Sequence, residues 1–232
     1  MENIENKTVI AIDVLRATST IITALAAGAK AVYAIDDIEA AKKLKQKLPQ
    51  AILCGERKGN IIPGFQLGNS PFEFTAAEAA EKEIISCTTN GTVAICTAAA
   101  AQDVWLGALI NAPAVAAKVQ KEGKKEVLAL CSGTNGRISL DDLLGAGSVI
   151  AHLVALEPAA VLTDAAKIAA HMYENYAHDL LSGIKTSAHG QKLLTLGYEK
   201  DLHFCSQLGS HPYVPQLIKK NPPLISRAQK LC

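Results

Sequence analysis

The sequence predicts a layered α/β fold, and three observations carry that prediction. Six short, mostly apolar runs containing β-branched residues recur at Thr8–Val14, Ala31–Ile35, Ala51–Cys54, Glu83–Cys87, Asp103–Gly107 and Glu126–Cys131. Segments of helical length separate most of them, clearest in the Ala/Lys/Glu-rich stretches Ile38–Leu48, Thr75–Ala80 and Ala114–Lys121. The runs are continuous rather than alternating, which is the pattern of strands covered on both faces. A mainly parallel sheet with helices on both sides and right-handed crossovers is therefore expected.

Each helix start has a chemical marker. Asp36 or Asp37 is placed to cap the helix after the second strand, where a carboxylate accepts from the orphan N–H groups of the first turn. Ser70-Pro71-Phe72-Glu73 combines a capping hydroxyl, proline in the first helical position and a glutamate three residues after the cap. Ser139-Leu140-Asp141-Asp142 puts acids in a first turn, where the helix dipole favours them. Beyond about residue 156 the pattern changes. Residues 163–181 read as one long helix, and the rest is loose, with Gly190, Gly197, Gly209, Pro212, Pro215, Pro222 and Pro223. A length of 232 residues suits a single domain, 1–232, with 157–232 a helical and irregular C-terminal extension packed on the core.

Composition excludes several function classes. Twenty-three basic against twenty-two acidic residues give a net charge of +1, so a broad nucleic-acid-binding face is not expected. Hydrophobic content of 49% excludes general disorder. No apolar run is long enough for a membrane span, and Met1–Thr8 is polar, so a cytoplasmic protein is expected. The apolar content is ample enough to suit a homodimer. Cys54, Cys87, Cys96, Cys131, Cys205 and Cys232 form no CxxC pair or zinc spacing and read as reduced, mostly buried thiols.

In an open parallel sheet, ligands bind where strands exit into helices. The first exit, Asp13-Val14-Leu15-Arg16-Ala17-Thr18-Ser19-Thr20, supplies a carboxylate, a guanidinium and a helix N-terminus, a set suited to a metal and an anion together, although Asp13 and Thr18 also suit simple capping. The second, from Gly55 to Pro71, is a long glycine-rich loop opening on Glu56 and Arg57, and such loops are usually functional. Two further exits share a Thr-Asn-Gly triplet: Thr89-Asn90-Gly91, and Thr134-Asn135-Gly136 within Ser132-Gly133-Thr134-Asn135-Gly136-Arg137. Asn-Gly tolerates positive φ, which turns successive N–H groups toward one point and forms an anion nest.

Arginine usage points the same way. Against nineteen lysines there are four arginines, and Arg16, Arg57 and Arg137 all fall in these loops. A planar guanidinium clasps carboxylate, phosphate or sulfonate oxygens in pairs. With Asp13, Glu56, Asp141 and Asp142 expected at the same sheet edge, the oxygen-rich set favours Mg²⁺ bridging protein carboxylates to an anionic ligand. The six histidines form no metal-binding pattern, and GxSxG, Walker A and GxGxxG sequences are absent.

The blocks DVLRATST, GERKGNIIPGFQLGNSP, TTNGT and CSGTNGRISLDDLLGAG resemble the 2-phosphosulfolactate phosphatase family, from about Asp13 to Gly147. A looser similarity continues through Gly190, Asp201-Leu202, Cys205 and Val214-Pro215. The resemblance implies a Mg²⁺-dependent hydrolase associated with coenzyme M biosynthesis. Its substrate would carry phosphate, sulfonate and carboxylate on three carbons, which rationalises three arginines and two donor-rich loops. Where the family tends to show Glu-Asp, this chain has Asp141-Asp142. IDVLRATST also resembles the first motif of haloacid-dehalogenase phosphatases. Leu15 stands where their second aspartate is required, so their two-aspartate scheme is not carried over.

On this reading Asp13, Arg16 and Glu56 are catalytic, and Asp13, Glu56, Asp141 and Asp142 are metal ligands. Arg57, Thr89, Asn90, Gly91, Ser132, Gly133, Thr134, Asn135, Gly136 and Arg137 bind the substrate. Two other classes remain open: a lyase or isomerase of a phosphorylated hydroxy acid, and a non-catalytic binder of small anions.

Overall fold

The computed structural model describes residues 3–227. In chain order the elements are β1 (Thr8–Ile12), α1 (Ala17–Ala26), β2 (Ala31–Ala34), α2 (Ile38–Lys47), β3 (Ile52–Arg57), β4 (Asn60–Ile61), α3 (Ala76–Ala79), β5 (Glu83–Cys87), α4 (Gly91–Ala98), β6 (Asp103–Gly107), α5 (Ala112–Lys121) and β7 (Val127–Cys131). There follow α6 (Leu140–Leu156), α7 (Asp164–Tyr176), α8 (Leu180–Thr186), α9 (Ala188–Thr195), α10 (Glu199–Cys205), β8 (Gln216–Lys220) and β9 (Pro223–Ser226). All six expected strands are present.

The α/β class holds, but the sheet is mixed, not mainly parallel. Its order is β4-β3-β5-β2-β9-β8-β6-β1-β7. Two parallel blocks, β3-β5-β2 and β6-β1-β7, are joined through the antiparallel β8–β9 hairpin, and β4 folds back antiparallel on β3. The segment expected to be irregular therefore supplies two central strands. Its prolines mislead because Pro223 opens β9, where no ladder N–H is needed, while Pro215 precedes β8 and lends its carbonyl to Leu106 N–H at 2.9 Å. The long helix expected over 163–181 is also broken. α7 stops at Tyr176, and Asp179 caps a new helix by accepting Ser182 N–H at 3.0 Å.

Helices cover both faces. α1 and α4 pack against both parallel blocks, and Ile21, Leu25 and Ile95 share one core with Ala11, Leu106, Val32, Ile52 and Ile84. Four strands separate β1 from β5 in the sheet, yet the start of α4 after β5 meets the exit of β1, with Gly91 against Asp13 and Ala17. α2 covers Leu53 and Ile85, while the C-terminal helices cover Ile10, Ile12 and Trp105. The capping expectations fare well where they are local: Asp37 accepts Ala40 N–H at 2.7 Å, and Ser70 and Glu73 form a reciprocal box around a short 3₁₀ turn. Cys54, Cys87 and Cys205 are free and buried, Cys96 and Cys131 free and half-buried, while Cys232 lies outside the described residues. Among the described residues no helix is long and apolar enough to cross a membrane.

Candidate active site

The first strand exit is held rigidly. Asp13 Oδ1 accepts Ala17 N–H at 3.0 Å, and the Thr18 hydroxyl accepts Asp13 N–H at 3.0 Å while lying 2.8 Å from Gly107 O. This ties β1 to β6 and turns Asp13, only 5% exposed, toward the start of α4. Burial, with the charges of Asp141 and Glu56 adding to it against the Ala17 N–H, pushes the Asp13 carboxyl up to about 7.

Glu56 bridges two loops. Its Oε1 accepts Thr89 N–H at 2.8 Å and its Oε2 accepts Gly59 N–H at 2.7 Å. Burial alone would raise its pKa, but these donors and the Arg16 charge outweigh that cost and hold it below the usual carboxylate range. Arg16 is itself buried and paired: Nη1 meets Asp201 Oδ2 at 2.5 Å, the guanidinium stacks 4.0 Å from the Tyr198 ring, and Ser70 Oγ donates to the other Asp201 oxygen at 2.8 Å.

These groups line a cavity of about 300 Å³. Of the residues singled out in the sequence, Asp13, Arg16, Glu56, Thr89, Asn90, Thr134 and Asn135 line it. A second recess of about 260 Å³ between α4 and β7 takes Ser132 and Gly136 and shares Thr89 and Asn90. Gly91 lies behind the cavity wall, where a Cβ would stand 2.3 Å from Ala17 Cβ and 2.5 Å from Asp13 Oδ2. Gly91→Ala is expected to cost about 1–3 kcal/mol in chemical denaturation through this overpacking; unchanged stability would contradict so close an approach.

Other residues are used differently from the sequence expectation. Arg57 is spent on backbone, with Nη1 2.9 Å from Glu56 O and Nη2 3.2 Å from Asp36 O, and it does not line either recess. Arg137 is exposed and also lies outside both. Asp142 Oδ1 accepts Val14 N–H, and its Oδ2 accepts Ser132 Oγ and Gly133 N–H, each at 2.9 Å, so this carboxylate pins two strand exits together. Asp141 is buried with Ser139 Oγ on its Oδ1.

The two Thr-Asn-Gly triplets also diverge. Asn135 (φ 53°) and Gly136 (φ 72°) are left-handed, but they close a tight turn in which Thr134 and Arg137 exchange backbone hydrogen bonds of 2.9 and 3.1 Å. In the other triplet Asn90 has φ −121° and Gly91 begins α4, so the anion-facing feature there is a helix start, with Thr88 and Thr92 exchanging side-chain-to-backbone hydrogen bonds of 3.0 Å. Lys58, Asn69, His189 and Lys192 also line the cavity and were not singled out. The first two lie inside the quoted GERKGN…GNSP block. His189 carries no local sequence signal, because its place depends on how α9 packs. Burial lowers its pKa, partly opposed by Asp141.

Among the described residues no three His, Cys, Asp or Glu side chains are grouped to chelate an ion on their own. Mg²⁺ commonly takes one or two protein carboxylates and fills its shell with water and substrate phosphate. Burial is the main cause of the raised Asp13 pKa, and the Asp141 and Glu56 charges that add to it are of the kind a divalent cation relieves, so Asp13 could hold one, with the Asp141 charge nearby.

A model of the family described as 2-phosphosulpholactate phosphatase matches residues 1–220. A protein of Carboxydothermus hydrogenoformans is 40% identical over 217 residues, which is 93% of this chain and 88% of the relative. Others from Thermosynechococcus vestitus (40%, covering 94% of this chain and 91% of the relative) and Clostridium acetobutylicum (39%, covering 93% and 91%) are similarly close. All three carry the name probable 2-phosphosulfolactate phosphatase. From nearly full-length similarity at this level, the chain belongs to the 2-phosphosulfolactate phosphatase family.

Proposed function

We propose that the protein hydrolyses 2-phospho-3-sulfolactate to 3-sulfolactate and phosphate, with Mg²⁺ as its cofactor, in the cytoplasm and in the service of coenzyme M biosynthesis. The observation that carries this reading is the meeting of the Asp13 carboxylate with the start of α4 in one cavity, beside Glu56 and Arg16. A helix N-terminus offers unpaired N–H groups and a partial positive charge to a phosphate. Asp13 Oδ1 accepts Ala17 N–H, and Oδ2 lies against Gly91 at the start of α4, where the phosphoryl group would meet the carboxylate.

In the mechanism, phosphate oxygens rest on the Asn90 side of the cavity while Asp13 Oδ2 either attacks phosphorus or takes the proton of the attacking water. Rapid-quench trapping of a phosphorylated enzyme separates these two routes, since only the first passes through an acyl phosphate on Asp13. Glu56 fixes the Thr89 and Gly59 backbones on either side of the cavity, and the Arg16–Asp201 pair holds the remaining wall. Mg²⁺, held by Asp13 with Asp141 near it, would supply charge neutralisation for the phosphoryl oxygens.

The test is a phosphate-release screen over phosphorylated 2-hydroxy acids with Mg²⁺ and with chelator. Release from 2-phospho-3-sulfolactate that stops on chelation is the expected result. Activity indifferent to metal removal would overturn the cofactor assignment. Turnover of the substrate without phosphate release would favour the lyase or isomerase class.

A further inference from the structure

The cavity wall formed by α9 has properties that phosphoryl transfer at Asp13 does not require. His189 and Lys192 stand three residues apart on one face of this helix, and both line the cavity. His189 Nδ1 is buried and has no hydrogen-bond partner. With Nδ1 closed off from solvent, His189 meets the cavity through other atoms.

Lysines frame this wall. The Lys58–Gly59 turn is packed directly on α9: a Cβ on Gly59 would lie 2.6 Å from Leu196 Cδ1 and 4.0 Å from Lys192 Cε. Lys58 and Lys192 therefore border the cavity from adjoining elements, and neither forms an ion pair among the described residues. The helix carrying His189 and Lys192 is itself fixed. Ser187 caps it through Gly190 N–H at 2.8 Å, and a Cβ at Gly190 would stand 2.0 Å from Ile184 O. A rigid wall carrying an imidazole and two exposed lysines without ion pairs among the described residues fits an anionic group on the body of the ligand, away from its phosphate.

We propose that His189, Lys192 and Lys58 form the subsite for the non-phosphate anions of the substrate, sulfonate and carboxylate, and so set specificity for an acidic phosphate ester. This rests on the phosphatase reading for the identity of the ligand, but its test does not depend on turnover. Calorimetric titration of the full chain uses 3-sulfolactate, lactate and inorganic phosphate as probes. Wild type should bind 3-sulfolactate, and Lys192→Met and His189→Ala should each weaken that binding by about tenfold or more, whereas Lys192→Arg and His189→Asn should restore it to within about threefold. Binding of inorganic phosphate should change by less than about threefold in the same variants. A wild-type preference for 3-sulfolactate over lactate assigns the sulfonate to this wall, and equal affinity assigns the carboxylate.

Unchanged 3-sulfolactate affinity in both Lys192→Met and His189→Ala would overturn the subsite. So would a parallel loss of phosphate binding, since that reports damage to the whole cavity. Binding of 3-sulfolactate without any phosphate release from its phosphorylated form would leave the subsite standing and remove the phosphatase reading. Phosphate release combined with unaltered binding in the variants would remove the subsite alone.

Discussion

Asp13→Asn is expected to lower the rate of phosphate release roughly 10³-fold or more with the fold intact, because the variant keeps an acceptor for Ala17 N–H and loses the carboxylate that would act as nucleophile or base. The same variant should be more stable than wild type when metal is chelated. The folded protein holds the Asp13 proton up to about pH 7, whereas an ordinary carboxyl releases it near 3.8. The native state thus binds more protons than the unfolded chain across that window, and wild-type stability falls as pH rises through it. The advantage of asparagine is absent below pH 3.8 and complete above about pH 7, on the order of 2–4 kcal/mol. Denaturant titrations at pH 5 and pH 8 check both sign and window. A wild-type rate in Asp13→Asn would remove the carboxylate from the chemistry, and a variant less stable at pH 8 would contradict the burial that raises its pKa.

Asp201→Ala should be the most damaging single change outside the reacting groups. It strands the Arg16 guanidinium, which has 2% of its side chain exposed, and removes the acceptor of Ser70 Oγ. Leaving one member of a buried pair unpaired costs about 3–5 kcal/mol, roughly 10 °C in melting temperature for a chain of this size. The double replacement Arg16→Met with Asp201→Leu should recover much of that stability and none of the activity. Recovery of stability alone separates the cost of burying a lone charge from the role of Arg16 in the cavity wall. A loss below about 1 kcal/mol in Asp201→Ala would mean that the pair is open to water.

Much of the fold was legible because strand identity is a local property. Glu83–Cys87 and Asp103–Gly107 match the observed strands end to end, since each is an apolar run bounded by polar residues. Pairing is not local. Nothing within Gln216–Ser226 announces that this proline-flanked stretch would bridge two parallel blocks, and lysines at 219 and 220 hide β8 further because that strand is largely exposed. The site divides in the same way. Asp13, Thr89 and Asn90 could be read from their positions just beyond strands, and Glu56, expected just after its strand, lies in the last residues of β3. Arginine scarcity was a poorer guide, because a guanidinium placed in a loop also serves to satisfy carbonyls, as Arg57 does at Glu56 O and Asp36 O. His189 and Lys192 lie about a hundred residues beyond Asn90, and only the packing of α9 on the Lys58–Gly59 turn brings them to the cavity.

A structure of the protein with orthovanadate and Mg²⁺ tests most directly whether the Asp13 cavity is where phosphorus is handled. The vanadate is expected beside Asp13 Oδ2, in contact with the Thr89–Asn90 start of α4. Vanadate seated only in the recess of Ser132 and Gly136, or against Arg137, with the Asp13 cavity holding none, would contradict that assignment.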